Sequence, residues 1–354
     1  MGSNPGKNYG NEKGRSEKLK QEVSNMRGIQ IFSVLFSFIF LLFSNCVKKN
    51  DFPALKGPYL GQKPPGKTPE LFAPGIISTG FDELFGSFTP DGKEFYYILG
   101  GDPVWTILVT KQENGGWTKP EVASFSPKYR AKFCLSPDGN TIILTSLRPL
   151  DGKGESSEIF HTWMVERTST GWTEPKLIKM LDRAFAPTLA ANGNIYFFIH
   201  HPERYDLYMS ACLDGQYTEP VRLDHAVNSA RDEFDPWIAP DESYLMFTSN
   251  RTGKNGIYIC YKNEDGSWTQ AKHMGPEVNA MDWINVGSVT PDGKYLFLFG
   301  IQSDYKSYLK KPISYKEKIK ILSGPGNGSI DIYWMDAGII EELKPQNHER
   351  KQQL

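Results

Sequence analysis

Thr89-Pro90-Asp91-Gly92-Lys93, with Phe95-Tyr96-Tyr97-Ile98-Leu99 directly behind it, reads as a tight turn feeding a strand. Proline sets φ at the first corner, aspartate bonds its own backbone, and glycine accepts positive φ. The run that follows is aromatic and β-branched without a polar break, as a strand buried on both faces requires. The same phrase returns at Ser136-Pro137-Asp138-Gly139-Asn140, Ala190-Ala191-Asn192-Gly193-Asn194, Ala239-Pro240-Asp241-Glu242-Ser243 and Thr290-Pro291-Asp292-Gly293-Lys294. Each step is roughly 50 residues, a period that signals a solenoid, a propeller or an array.

Two more phrases complete the unit. A third strand carries Leu207-Tyr208, Ile257-Tyr258 or Ile332-Tyr333, and a fourth opens on an aromatic-Thr pair: Trp117-Thr118, Trp172-Thr173, Tyr217-Thr218 and Trp268-Thr269. Proline shortly after that pair suits an outer edge strand, where no N–H is needed. Four antiparallel strands per unit make one blade, so the chain is expected to be all-β, a five-bladed β-propeller. The fifth unit lacks its aromatic-Thr strand. Its counterpart is Thr68-Pro69-Glu70-Leu71-Phe72, which aligns with Lys119-Pro120-Glu121-Val122 and predicts that the N-terminal strand closes the last blade, removing the free sheet edges. Residues 302–329 depart from the pattern. Extra strands there would make a six-bladed ring.

The cadence Asp232-Glu233-Phe234-Asp235-Pro236, Pro240-Asp241, Phe247-Thr248-Ser249-Asn250-Arg251 and Ile257-Tyr258 resembles the TolB-like, WD-type propeller repeats of bacterial envelope proteins. The resemblance spans about residues 68–344. It implies an envelope location and leaves function open, since such repeats serve scaffolds, binding subunits and enzymes.

The N-terminus points to the same compartment. Ile29 to Phe43 is an apolar run of about 15 residues, too short for a comfortable span. It follows Met26-Arg27 and ends at Ser44-Asn45-Cys46, an order resembling a bacterial lipoprotein signal with Cys46 as the lipidation site; an uncleaved anchor is the alternative. Residues 1–46 are thus an extension and signal, 47–67 a flexible tether, 68–344 the propeller and 345–354 a polar tail. Charge is nearly balanced, with 40 Lys and Arg against 41 Asp and Glu, so nucleic-acid binding has no electrostatic support. Cys134, Cys212 and Cys260 have no zinc or redox spacing and read as free thiols.

Functional groups are expected where first strands enter the central channel. The aligned segments offer Asp82 and Glu83, Arg130, Arg183, Asp232 and Glu233, and Asp282 with Trp283. A mixed ring of charge with an aromatic suits a small polar ligand, and the leading reading is a membrane-anchored binding or scaffold module for a protein, peptide or glycan. A carbohydrate-active hydrolase or lyase is the alternative: such chemistry needs two carboxylates about 5–10 Å apart, which Glu83, Glu233 and Asp282 could supply. The Asp-Glu pair also reads structurally, bonded to a neighbouring blade's arginine, and Arg148 and Arg251 read as fasteners between blades. His161, His200 and His201 read as solvated loop histidines. No nucleophile elbow, phosphate-cradling loop, calcium loop or metal spacing is present, and no cofactor or metal is called for.

Overall fold

In the computed structural model the described residues are 52–101, 104–302 and 312–346, with Gly2. The expected signal, with Cys46, and most of the expected tail lie outside them. Chain contacts divide the protein after Pro53, and the propeller belongs wholly to Ala54–Leu354.

Five antiparallel sheets form the ring. Their first three strands are Glu83–Phe88, Glu94–Leu99 and Thr106–Glu113 in blade 1, and Ala131–Leu135, Thr141–Ser146 and His161–Thr168 in blade 2. Blade 3 has Ala184–Leu189, Ile195–His200 and Tyr205–Ser210; blade 4 has Glu233–Ile238, Tyr244–Ser249 and Gly256–Tyr261; blade 5 has Trp283–Val289, Tyr295–Ile301 and Asp331–Asp336. The fifth blade is closed by Glu70–Leu71, with Glu70 opposite Trp334 and Leu71 opposite Tyr333. Glu121 and Val122 stand in the same register against Val109 and Leu108 in blade 1. The closing strand therefore occupies the position its sequence alignment assigns.

The turns follow their residue types. In blade 1 the Asp91 carboxylate accepts from the Thr89 hydroxyl and the Lys93 N–H, while the Thr89 hydroxyl oxygen accepts from the Glu94 N–H. Blade 5 repeats this set with Asp292, Thr290, Lys294 and Tyr295. In blade 4 Glu242 takes the glycine's place at φ 58°. That left-handed backbone costs on the order of 1–3 kcal/mol. The Glu242 side chain offsets it by accepting from Tyr196 and Asn194 across the seam with blade 3 and from Lys262 of its own blade.

The aromatic-Thr phrase differs from its sequence reading. Trp117 pairs with Gln112 in a short ribbon that extends the third strand, and the outer strand is the two residues beyond the proline. The threonine explains its own recurrence: the hydroxyls of Thr118, Thr173 and Thr269 accept from the third-strand N–H groups of Lys111, Glu166 and Tyr261, and that of Thr218 from the N–H of Ala211, just past the third strand of blade 3. Each supplies a ladder bond where the chain turns away.

The described part of the expected tether is packed rather than free. Leu60 is buried, Tyr59 lies edge-on to Phe88 and Tyr295, and the Trp117 indole N–H donates to Gly57 O. Residues 312–329 contain the helix Tyr315–Leu322, N-capped by Ser314 and Glu317. No further blade is formed among the described residues.

Candidate functional site

Four of the five inner strands carry a β-bulge, between Leu84 and Ser87, Phe185 and Thr188, Phe234 and Trp237, and Val286 and Ser288. A bulge adds a residue and re-aims its neighbours, and it is also where proline is tolerated inside a sheet. Pro187 and Pro236 sit in two of them. Phe85 and Asp235 adopt left-handed backbone there, at φ 53° and 46°.

The outcome is a central layer with one residue from each blade: Phe85, Lys132, Phe185, Asp235 and Asn285. Lys132 Nζ donates to Asp235 Oδ1 at 2.9 Å and lies over the rings of Phe85 and Phe185, 4.3 and 4.4 Å from their centroids. Asn285 Nδ2 donates to the other carboxylate oxygen of Asp235 at 2.7 Å. Burial pushes the Lys132 ammonium below the usual lysine range, against the pull of Asp235. Asn285 Oδ1 is buried without a partner among the described residues.

Above this floor opens a cavity of about 740 Å³, within the ~300–1,000 Å³ usual for small-molecule sites. Its walls are aromatic, among them Trp105, Phe160, Phe185, Tyr205, Phe234 and Trp283. Arg130, Arg183, Glu158 and His200 supply its polar lining away from the floor. The Arg130 guanidinium stacks 3.9 Å over Trp105, which leaves its in-plane N–H donors available. Arg183 holds a left-handed backbone at φ 66°. Neither arginine forms an ion pair among the described residues. The same inner strands also line a much smaller space of about 40 Å³, bordered by Phe85 and by residues one to three positions beyond the central layer.

Of the residues expected here, Arg130, Arg183 and Trp283 line the cavity, while Asp82, Glu83, Asp232, Glu233 and Asp282 do not. Asp82 accepts from the Ile330 N–H, and Asp232 from the Tyr205 N–H and the Asn250 amide. Glu83 and Glu233 are fully buried and share one frame. Thr79 in one blade, Ser229 in the other, donates both its N–H and its hydroxyl to the two carboxylate oxygens. Glu233 also accepts from Ser249 and pairs with Arg251 at 3.0 Å. That arginine comes from the same blade, not a neighbouring one, and its second bond, to Val227 O, ties the blade to its own entry loop.

Among the described residues Glu83 has no such cation: Leu99 and Gly101 stand where blade 4 has Ser249 and Arg251. Burial pushes its carboxyl up to about 8, opposed by the Thr79 bonds and assisted by Asp331 and Asp82. Asp331, also buried, is pushed up to about 6 by burial, against its bond from the Gly326 N–H. The carboxylate set proposed for glycoside cleavage is therefore structural in the case of Glu83 and Glu233 and does not face the cavity.

Of the three histidines only His161 parts from its reading as a solvated loop residue, since His200 is exposed at the end of its strand and His201 lies beyond it. His200 lines the cavity, His201 bonds the Tyr208 hydroxyl, and His161 is a buried strand residue 3.0 Å from Asp182. Among the described residues no group of His, Cys, Asp and Glu has the geometry to hold a metal ion.

Fold and cavity together define a five-bladed β-propeller with an aromatic funnel above its central layer. No family model and no curated protein matches the chain. Among solved structures it is similar to a putative TolB from Agrobacterium tumefaciens, at 17% identity over 72% of this chain and 90% of that one, TM-score 0.43. TolB from Acinetobacter baumannii is 12% identical over 73% and 57% of the two chains, TM-score 0.42. A xyloglucan-locus GH43B protein from Bacteroides ovatus is 14% identical over 65% and 50%, TM-score 0.43. At these identities no functional residue carries across.

Proposed function

We propose that this chain is a ligand-binding propeller of the bacterial envelope, held at a membrane through Cys46, whose funnel takes the acidic end of a glycan. One observation carries the reading: Arg130 and Arg183 stand without ion-pair partners among the described residues, at an aromatic funnel whose floor charges already neutralise each other. An in-plane pair of guanidinium donors matches a carboxylate. The aromatic walls offer flat faces to the C–H side of a pyranose, and Asn285 Oδ1 is an acceptor for a hydroxyl at the floor. For anchoring, the support is the order of the sequence, an apolar run leading into Ser44-Asn45-Cys46.

Calorimetric titration of the full chain in detergent tests the reading, using glucuronic-acid oligosaccharides and their carboxyl-reduced counterparts. The acidic series is expected to bind at least tenfold more tightly, with the preference lost in Arg130→Gln and Arg183→Gln. Equal binding of the two series would refute the role of the arginines. Binding only of peptide carboxyl ends would replace glycan by peptide, and silence from both would remove the funnel as a site. Cys46→Ser should abolish incorporation of an alkynyl fatty acid; retained label would refute the anchor.

A further inference from the structure

At the funnel's lip, blades 2 and 3 bring together three side chains that the sequence separates. His161 is the first residue of its strand and is 6% exposed. Its Nδ1 lies 3.0 Å from Asp182 Oδ1 and its Nε2 lies 3.4 Å from Ser157 Oγ. With the proton on Nδ1, every group has a partner: Nδ1–H donates to Asp182, and the Ser157 hydroxyl donates to Nε2. Ser157 is fixed from two sides, its N–H donating to Leu147 O and its Oγ accepting from the Ile159 N–H. The next three residues, Glu158, Ile159 and Phe160, line the funnel, as does Arg183 immediately after Asp182. A hydroxyl on a neutral imidazole that is oriented by a carboxylate is the arrangement of nucleophilic acyl transfer, and it is recognised by geometry, not by chain order.

We propose that Ser157, His161 and Asp182 form a serine nucleophile site that cleaves a carboxylic ester carried by a molecule lying in the funnel. Ser157 Oγ adds to the ester carbonyl as its proton passes to His161 Nε2. Collapse of the tetrahedral intermediate breaks the bond to the leaving alkoxide, which takes that proton and departs as an alcohol, leaving acyl-Ser157. Water then adds to the acyl carbonyl and gives a proton to Nε2. The second collapse breaks the Ser157–acyl bond, returns the proton to Oγ and releases the carboxylic acid.

Two features set the expected strength. The Ser157–His161 separation exceeds the ~2.6–3.2 Å of a tight pair, a looseness common where no substrate is bound. Asp182 is about half exposed, so water competes for the carboxylate that orients the imidazole. Both point to a modest rate. The test is labelling of the folded full chain, in detergent, with a fluorophosphonate, which loses fluoride to an activated serine, together with hydrolysis of p-nitrophenyl acetate. We expect one label, on the peptide holding Ser157, absent in Ser157→Ala. Labelling and hydrolysis should slow at least tenfold in Asp182→Asn and in His161→Gln. Ser157 and Asp182 are both solvent-accessible, so their variants remain informative if the buried histidine variant fails to fold. Absence of label on Ser157, or labelling at the wild-type rate in Asp182→Asn, would overturn the proposal. Labelling needs no glycan, so it stands or falls apart from the funnel titration.

Discussion

Glu83 makes the stability of this propeller depend on pH in a direction opposite to the usual carboxylate. Its pKa in the folded chain is about 8, against an ordinary value of 4.5. Between those values the folded state keeps a proton that the unfolded chain has released. Stability is therefore full below about pH 4.5 and is lost as pH rises to about 8. At ~1.4 kcal/mol per pH unit the ceiling is about 5 kcal/mol, and relaxation of the site brings the expectation to about 3–5 kcal/mol. Glu83→Gln removes the ionisation and keeps the shape: the amide oxygen accepts from the Thr79 N–H and the NH₂ donates to the Thr79 hydroxyl. Urea unfolding of both proteins from pH 5 to 9, with the slope m checked for constancy, isolates the one group. The two should agree within about 1 kcal/mol at pH 5 and diverge by about 3–5 kcal/mol at pH 9, with the variant more stable. Glu233→Gln should instead lose about 3 kcal/mol because it breaks the pair with Arg251. Superimposable pH profiles of wild type and Glu83→Gln would refute the reasoning.

Lys132→Met leaves the Asp235 carboxylate buried without a cation and should cost about 3–5 kcal/mol in the same assay. The double variant with Asp235→Leu should recover most of that loss; additive losses would show that the pair is not coupled. Phe72, fully buried, has four aromatic rings centred within 6.0 Å and directly follows the closing strand. Phe72→Ala should cost about 3–5 kcal/mol and open the blade 5 edge to limited proteolysis, whereas protease resistance unchanged from wild type would argue against closure by this strand. Burial pushes the Cys134 thiol to about 11 and the Cys260 thiol to about 12. Native alkylation at pH 8, read by peptide mass, should therefore modify Cys212 before either, and early modification of Cys260 would contradict the packing.

The fold was legible because each blade spells its turn, and the turn chemistry is local. Asp91, Asp138 and Asp292 bond residues two positions away, so nothing distant can overrule them. Closure was legible for a similar reason: Glu70 and Leu71 repeat the register of Glu121 and Val122. The packing of Tyr59 and Leu60 was not, because those residues meet rings from blades 1 and 5 that only the closed ring assembles. Nor was the Ser157–His161–Asp182 cluster, whose members meet only across two blades.

The site shows where local reading stops. Glu83, Arg130, Arg183, Glu233 and Trp283 each stand two positions before the central layer of Phe85, Lys132, Phe185, Asp235 and Asn285. Of these five only Arg130, Arg183 and Trp283 reach the funnel. The two glutamates are captured by a hydroxyl residue four positions earlier, Thr79 and Ser229. The other three ring positions have Ser126, Lys179 and Asn279 at that offset and no carboxylate to capture. Ser/Thr-x-x-x-Glu ahead of a first strand was therefore a readable sign that the carboxylate serves its own loop. Pro187 and Pro236 were a second sign. Proline inside an inner strand requires a bulge, and a bulge shifts which residue faces the axis. Had those prolines been weighed, Asp235 rather than Glu233 would have been placed at the channel. The residues that repeat hold the blades together, and among those that differ from blade to blade Lys132, Phe185, Asp235 and Asn285 line the funnel.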